Sequence, residues 1–163
     1  MSRPKIMIVD DEFWVCMALA DDLQAEGFEI VGPFSQVDKA LRRCNYETEF
    51  TVKFQPQYDL IKSRVIGFEA LARWDSPELG TVSPDVFIQA AERAGMIRPL
   101  TQVLLTKALT AMKDWPDDLT LSFNLSAHDL MSPQAMESVL QTVRDSGLPT
   151  KRIEFEITET AMM

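Results

Sequence analysis

Four short segments of this chain alternate between an apolar and a largely polar face, with amphipathic helices between them, and few folds accept that arrangement. In residues 51–57, Val52 and Phe54 alternate with Lys53, Gln55 and Gln57. In 65–73, Ile66, Phe68 and Ala70 alternate with Gly67, Glu69, Leu71 and Arg73. Residues 119–126 set Leu121, Phe123 and Leu125 against Ser122, Asn124 and Ser126, and 152–158 set Ile153, Phe155 and Ile157 against Glu154, Glu156 and Thr158. Successive side chains of a strand point to opposite faces, so each segment has one apolar and one polar face. The first intervening helix opens at Ser83-Pro84-Asp85 and closes at Gly95. The second begins near Pro99, carries Leu100, Val103, Leu104 and Ala108 on one side, and ends at Asp114-Trp115-Pro116. The third starts at Ser132-Pro133, uses Met136, Val139, Leu140 and Val143, and stops at Gly147. This repetition predicts an α/β fold in which helices cover the apolar side of a curved parallel sheet and the polar faces converge inside, as in a barrel.

The N-terminal part has a different texture. Ile6 to Val9 is a continuous apolar run ending in Asp10 and Asp11, as expected of a strand buried on both faces. Phe13 to Glu26 reads as a helix with Trp14, Met17, Leu19 and Leu23 apolar and Gly27 as its stop. A short strand over Phe28 to Val31, a Gly32-Pro33 turn and a helix over 36–43 capped by Ser35 follow. Residues 42–49 have no apolar period and four charged side chains, which places a domain junction there and divides the chain into 1–43 and 44–163.

Charge and cysteine usage narrow the function classes. Twenty-five acidic against sixteen basic residues, with no basic run, disfavour binding to a DNA or RNA duplex. Cys16 and Cys44 lie in unrelated segments without metal-ligand spacing, which suits reduced thiols in a cytoplasmic protein. The apolar N-terminal run is interrupted by Asp10, Asp11 and Glu12, so neither a signal peptide nor a membrane span is expected.

The polar faces carry the chemistry. In a curved sheet Gln55, Glu69, Asn124 and Glu156 would point towards one another. Two carboxylates and an amide oxygen are hard donors suited to magnesium or manganese, and Arg73 beyond Glu69 can pair with a phosphate through two parallel hydrogen bonds. Metal-assisted phosphoester chemistry is one reading. An ordinary α/β sheet with one solvated face, where Glu and Asn have no special role, fits the same pattern. The single histidine, His128, reads as a surface or capping residue.

Glu69-Ala70-Leu71 followed by Ala72-Arg73-Trp74 lies between Gln55-Pro56 upstream and Ser83-Pro84 with Phe87-Ile88 downstream. Asn124-Leu125-Ser126 and Glu156-Ile157-Thr158-Glu159 follow in turn. In order and spacing this set resembles the EAL-domain phosphodiesterases, which hydrolyse cyclic di-GMP to pGpG. The resemblance implies a TIM-like barrel whose first strand runs antiparallel to the rest, with Mg2+ or Mn2+ as cofactor. It implies that Glu69, Asn124 and Glu156 match metal ligands, that Gln55 and Arg73 match substrate contacts, and that the catalytic set includes Glu69 and also Glu159, which matches the glutamate that orders a catalytic loop. The family pattern continues through Asp-Asp-Phe-Gly, a catalytic lysine, a glutamate and a glutamine, none of which has a counterpart here. The expectation is therefore the N-terminal half of an EAL domain, inactive by itself, with cyclic di-GMP as the ligand the resemblance implies. The alternative is a noncatalytic protein-interaction or ligand-binding module of degenerate EAL type.

Ile6 to Glu12, with the acidic pair Asp10 and Asp11, and Phe28 to Phe34 resemble a flavodoxin-like response-regulator receiver. In that family the pair binds magnesium beside a phosphorylated aspartate on a third strand. No third receiver strand precedes the EAL-like segment, so phosphotransfer is not expected and Asp10 and Asp11 read as a polar strand end. A partial barrel would leave sheet edges open. The expected remedy is either one composite sheet, in which Ile6 to Val9 pairs with the EAL-like strands, or a homodimer or protein partner burying the edges.

Overall fold

The computed structural model describes residues 5–7, 13–31 and 33–157, and side chains at 19–30 and 36–157. Strand β1 (Lys5–Met7) pairs in parallel with β2 (Glu29–Val31), and helix α1 (Phe13–Ala25) makes the crossover. Gly27 ends that crossover at a φ of 90°, a left-handed conformation that costs glycine little. Helix α2 (Pro33–Leu41) begins at the proline and not after Ser35, because proline has its φ preset for a first turn, where no N–H is needed. A four-residue helix, α3 (Tyr46–Glu49), occupies the segment read as a junction. The Asn45 side chain accepts from the Glu47 N–H at 3.0 Å, and the Asn45 N–H donates to Glu49 Oε1 at 2.8 Å, so both ends of this cap are satisfied.

The larger sheet contains β3 (Phe50–Asp59), β4 (Arg64–Ser76), β5 (Gly80–Val82), β6 (Thr120–Leu125) and β7 (Ile153–Ile157). Its order is β3-β4-β6-β7, with β5 pairing to β4. The first pair, β3 with β4, is antiparallel, whereas β4 with β6 and β6 with β7 are parallel. Helices α4 (Pro84–Arg93) and α5 (Ile97–Met112) connect β5 to β6, and α6 (Ala127–Leu130) and α7 (Pro133–Ser146) connect β6 to β7. Elements β5 and α6 are too short to produce a readable period, which is why residue patterning alone does not reveal them.

The core lies between the helices and the apolar sheet face. Phe50 stacks on Trp74 with ring centroids 5.1 Å apart and meets Phe87 edge-on at 5.4 Å. Trp115, just beyond α5, reaches Phe54 at 5.0 Å and Phe68 at 4.9 Å, joining the helical layer to β3 and β4. Val37, Ala40 and Leu41 of α2 belong to this same core, since α2 packs on α4. On α7, Val139 and Val143 are buried, but Leu140 stays 42% exposed at the edge of the apolar stripe.

The expected composite sheet does not form among the described residues: β1 and β2 make a sheet of their own. A strand-helix-strand unit pairs its two strands directly, and α2 and α3 then carry the chain around to β3, leaving β1 no register with the larger sheet.

Candidate functional site

Strand register brings the polar residues onto one surface. Gln55 lies opposite Glu69 across the antiparallel β3–β4 pair. Glu69 is level with Ser122 of β6, and Asn124, two residues further along, is level with Glu156 of β7. Alternate residues share a face, so Gln55, Glu69, Asn124 and Glu156 all occupy the side opposite the helical layer. The Asn124 Nδ2 donates to Glu69 Oε1 at 2.9 Å, linking β4 diagonally to β6. A layer lower, Gln57 Nε2 donates to Ser122 Oγ at 3.0 Å. Arg73 lies further along β4, level with Thr51, and its Nη1 donates to the Ala72 carbonyl at 2.7 Å.

A glycine sets the separation of the two central strands. Gly67 pairs with Thr120, and a Cβ at Gly67 would lie 2.3 Å from Thr120 Oγ1 and 2.6 Å from the Thr120 carbonyl oxygen. The pairing of β4 with β6 runs only from Gly67 to Ala70. Beyond it the strands part, and a cleft of about 530 Å³ opens there. Glu69, Arg73, Asn124 and His128 contribute polar groups to it, and Ile88 and Leu100 contribute apolar ones.

The turn after β6 is held by a buried carboxylate. Ser126 caps α6, accepting from the Asp129 N–H at 3.1 Å and donating to Asp129 Oδ2 at 3.0 Å. Thr101 of α5 donates to the same oxygen at 2.8 Å. Asp129 is 1% exposed, so this network ties the strand end carrying Asn124 to a core helix. Neither Asp129 nor Thr101 was among the residues singled out from the sequence. The available signal was Ser126 followed three residues later by an acid, a helix-capping pattern. His128 is exposed, with Nδ1 3.7 Å from Glu92 Oε1.

The donor set suits a hard cation. Among the described residues no three His, Cys, Asp or Glu side chains gather as a metal site. What the sheet offers is the carboxylates of Glu69 and Glu156 and the amide of Asn124 on one face, oxygen groups of the kind that magnesium takes alongside its water ligands. Half a turn of the Asn124 amide would direct its oxygen where Nδ2 now points. Asp10, Asp11 and Glu159 lie outside the described residues.

Residues 36–163 match the model of the EAL domain. The chain is 30% identical over 146 residues to the cyclic di-GMP phosphodiesterase PA2567 of Pseudomonas aeruginosa, covering 88% of this chain and 24% of that protein. It is 32% identical over 136 residues to the biofilm architecture maintenance protein MbaA of Vibrio cholerae, covering 81% of this chain and 17% of that protein. Among solved structures, the PaMucR phosphodiesterase in complex with c-di-GMP superposes with a TM-score of 0.70 at 26% identity, over 78% of this chain and 53% of that one. The chain thus spans a minor part of these curated relatives and about half of the solved phosphodiesterase. With the antiparallel first strand, the shared polar face and a family match over most of its length, this chain belongs to the EAL domain family.

Proposed function

We propose that this chain supplies one part of a cyclic di-GMP phosphodiesterase site, namely the part that receives the dinucleotide and holds a divalent cation. The observation that carries this reading is the Glu69–Asn124 hydrogen bond, with Gln55 and Glu156 in register on either side. Gln55 and Arg73 contact the ligand, the arginine through a phosphate oxygen. Glu69, Asn124 and Glu156 would hold Mg2+ or Mn2+, which when bound supplies charge neutralisation and a more acidic water for phosphodiester hydrolysis. Glu69 and Glu159 are assigned to the catalytic set by their match to the family pattern. The 163 residues contain no Asp-Asp-Phe-Gly sequence, so the expectation for this chain alone is binding without turnover at a family-typical rate.

The reading of 1–43 as receiver-like, with Asp10 and Asp11 as its acidic pair, belongs to the same proposal, as do a cytoplasmic setting and an edge-covering second copy or protein partner. No helix among the described residues is long and apolar enough to cross a membrane.

Calorimetric titration of the 163-residue chain with cyclic di-GMP, with and without Mn2+, tests the proposal, together with chromatographic assay for pGpG. Binding that strengthens with Mn2+ and weakens in Glu69→Ala supports it. A chain that binds no cyclic di-GMP under either condition refutes it, and sustained pGpG formation abolished by Glu69→Ala would show that the remaining family residues are dispensable.

A further inference from the structure

The site face carries a second cation, outside the motif residues identified above. On β3 and β4 the rungs run from Gln55 opposite Glu69, to Lys53 opposite Leu71, to Thr51 opposite Arg73. Lys53 therefore shares the face of Gln55 and Glu69 and lies on the same side of them as Arg73. Alternate residues of a strand are about 6.8 Å apart, so the two cations are diagonal neighbours within reach of one small ligand.

Lys53 is also uncommitted. Its side chain is exposed and makes no hydrogen bond or ion pair among the described residues. Two other basic side chains, by contrast, serve the fold: Lys107 Nζ donates to the carbonyls of Glu47 and Phe50 at 2.6 and 2.7 Å, and buried Arg152 bonds the carbonyls of Leu119 and Pro116. Directly opposite Lys53 is Leu71, so no carboxylate in register neutralises it. The site face otherwise bears Glu69, Glu154 and Glu156 in a chain of net charge -9, and an anionic ligand approaching it meets repulsion unless local cations offset the field. The divalent cation proposed above is held by the carboxylates and Asn124; away from it Arg73 offsets one charge, and a cyclic dinucleotide carries two phosphodiesters.

We propose that Lys53 is a specificity-determining contact for the second phosphodiester of the ligand, acting with Arg73 as a pair of cations above the carboxylates. This rests on the reading that the ligand is a cyclic dinucleotide. Lysine suits the role because its ammonium is a point charge on a flexible stem and needs no fixed planar geometry.

The test is calorimetric titration of the full 163-residue chain with cyclic di-GMP in Mn2+, comparing wild type with Lys53→Met and Lys53→Arg. Lys53→Met should bind about fivefold more weakly at low salt, Lys53→Arg should retain wild-type affinity, and the deficit should vanish near 1 M salt, where the Debye length is about 3 Å. Wild-type binding with unchanged affinity in Lys53→Met overturns the inference and leaves the proposed function standing. A deficit that persists at high salt overturns it too, because methionine keeps an apolar stem and a loss that salt does not screen is not the loss of a charge contact. No binding by the wild type removes both. Unchanged thermal melting of the variants, expected for an exposed side chain, excludes misfolding as the cause.

Discussion

Gly67→Ala should destabilise the fold and disturb the site together. The added Cβ would meet Thr120 Oγ1 at 2.3 Å and the Thr120 carbonyl at 2.6 Å. The hydroxyl can rotate away, but the carbonyl belongs to the strand that pairs with β4, so the strands must separate. Overpacking of this kind costs about 1–3 kcal/mol, and a backbone neighbour places it towards the upper end. Alanine restricts the unfolded chain more than glycine does, which returns about 0.4–1 kcal/mol. The net expectation is a loss of about 2 kcal/mol, or a fall in Tm of roughly 4–8 °C for a chain of this size. Urea unfolding followed by tryptophan fluorescence measures it, since Trp74 and Trp115 both pack against the sheet. Because Glu69 lies two residues along β4, cyclic di-GMP affinity should fall as well. The decisive control is Gly67→Ala combined with Thr120→Ala, which removes the hydroxyl contact and keeps the carbonyl contact. If that double variant regains wild-type stability, the backbone argument is wrong.

Asp129→Ala leaves the buried Thr101 hydroxyl and the half-buried Ser126 hydroxyl without this acceptor and should cost about 2–3 kcal/mol, whereas Asp129→Asn keeps an acceptor oxygen and should cost less than half as much by urea titration; equal losses would contradict the network. Arg152→Met removes three donors that hold the α5–β6 connection and should lower stability by about 2–4 kcal/mol, read from the same unfolding curves. Burial, helped by the Glu49 carboxylate, pushes the Cys44 thiol up to about 11, so little thiolate exists near neutrality. In a Cys16→Ser background, alkylation of Cys44 should therefore be slow at neutral pH and still accelerate above pH 9; a rate that levels off near pH 9 would contradict the shift.

Much of the candidate site was legible before any tertiary structure. Period-two alternation decides which residues of a strand share a face, and with helices covering the apolar side of one sheet it assigns Gln55, Glu69, Asn124 and Glu156 to a common surface and Phe54, Phe68, Phe123 and Phe155 to the opposite one. Helix boundaries at Pro84, Pro133 and Gly147 were equally readable, because proline and glycine act through their own backbone geometry. What patterning could not supply was register. Face assignment does not say that Asn124 reaches Glu69 while Ser122 stands level with it, because that offset depends on how far β6 slides along β4. The closeness of Gly67 to Thr120, the bond from Thr101 to Asp129 across 28 residues, and the pairing of β1 with β2 were hidden for the same reason. Local chemistry writes periodicity, caps and turns into consecutive residues, whereas contacts between distant segments are chosen by packing, which only the folded chain resolves.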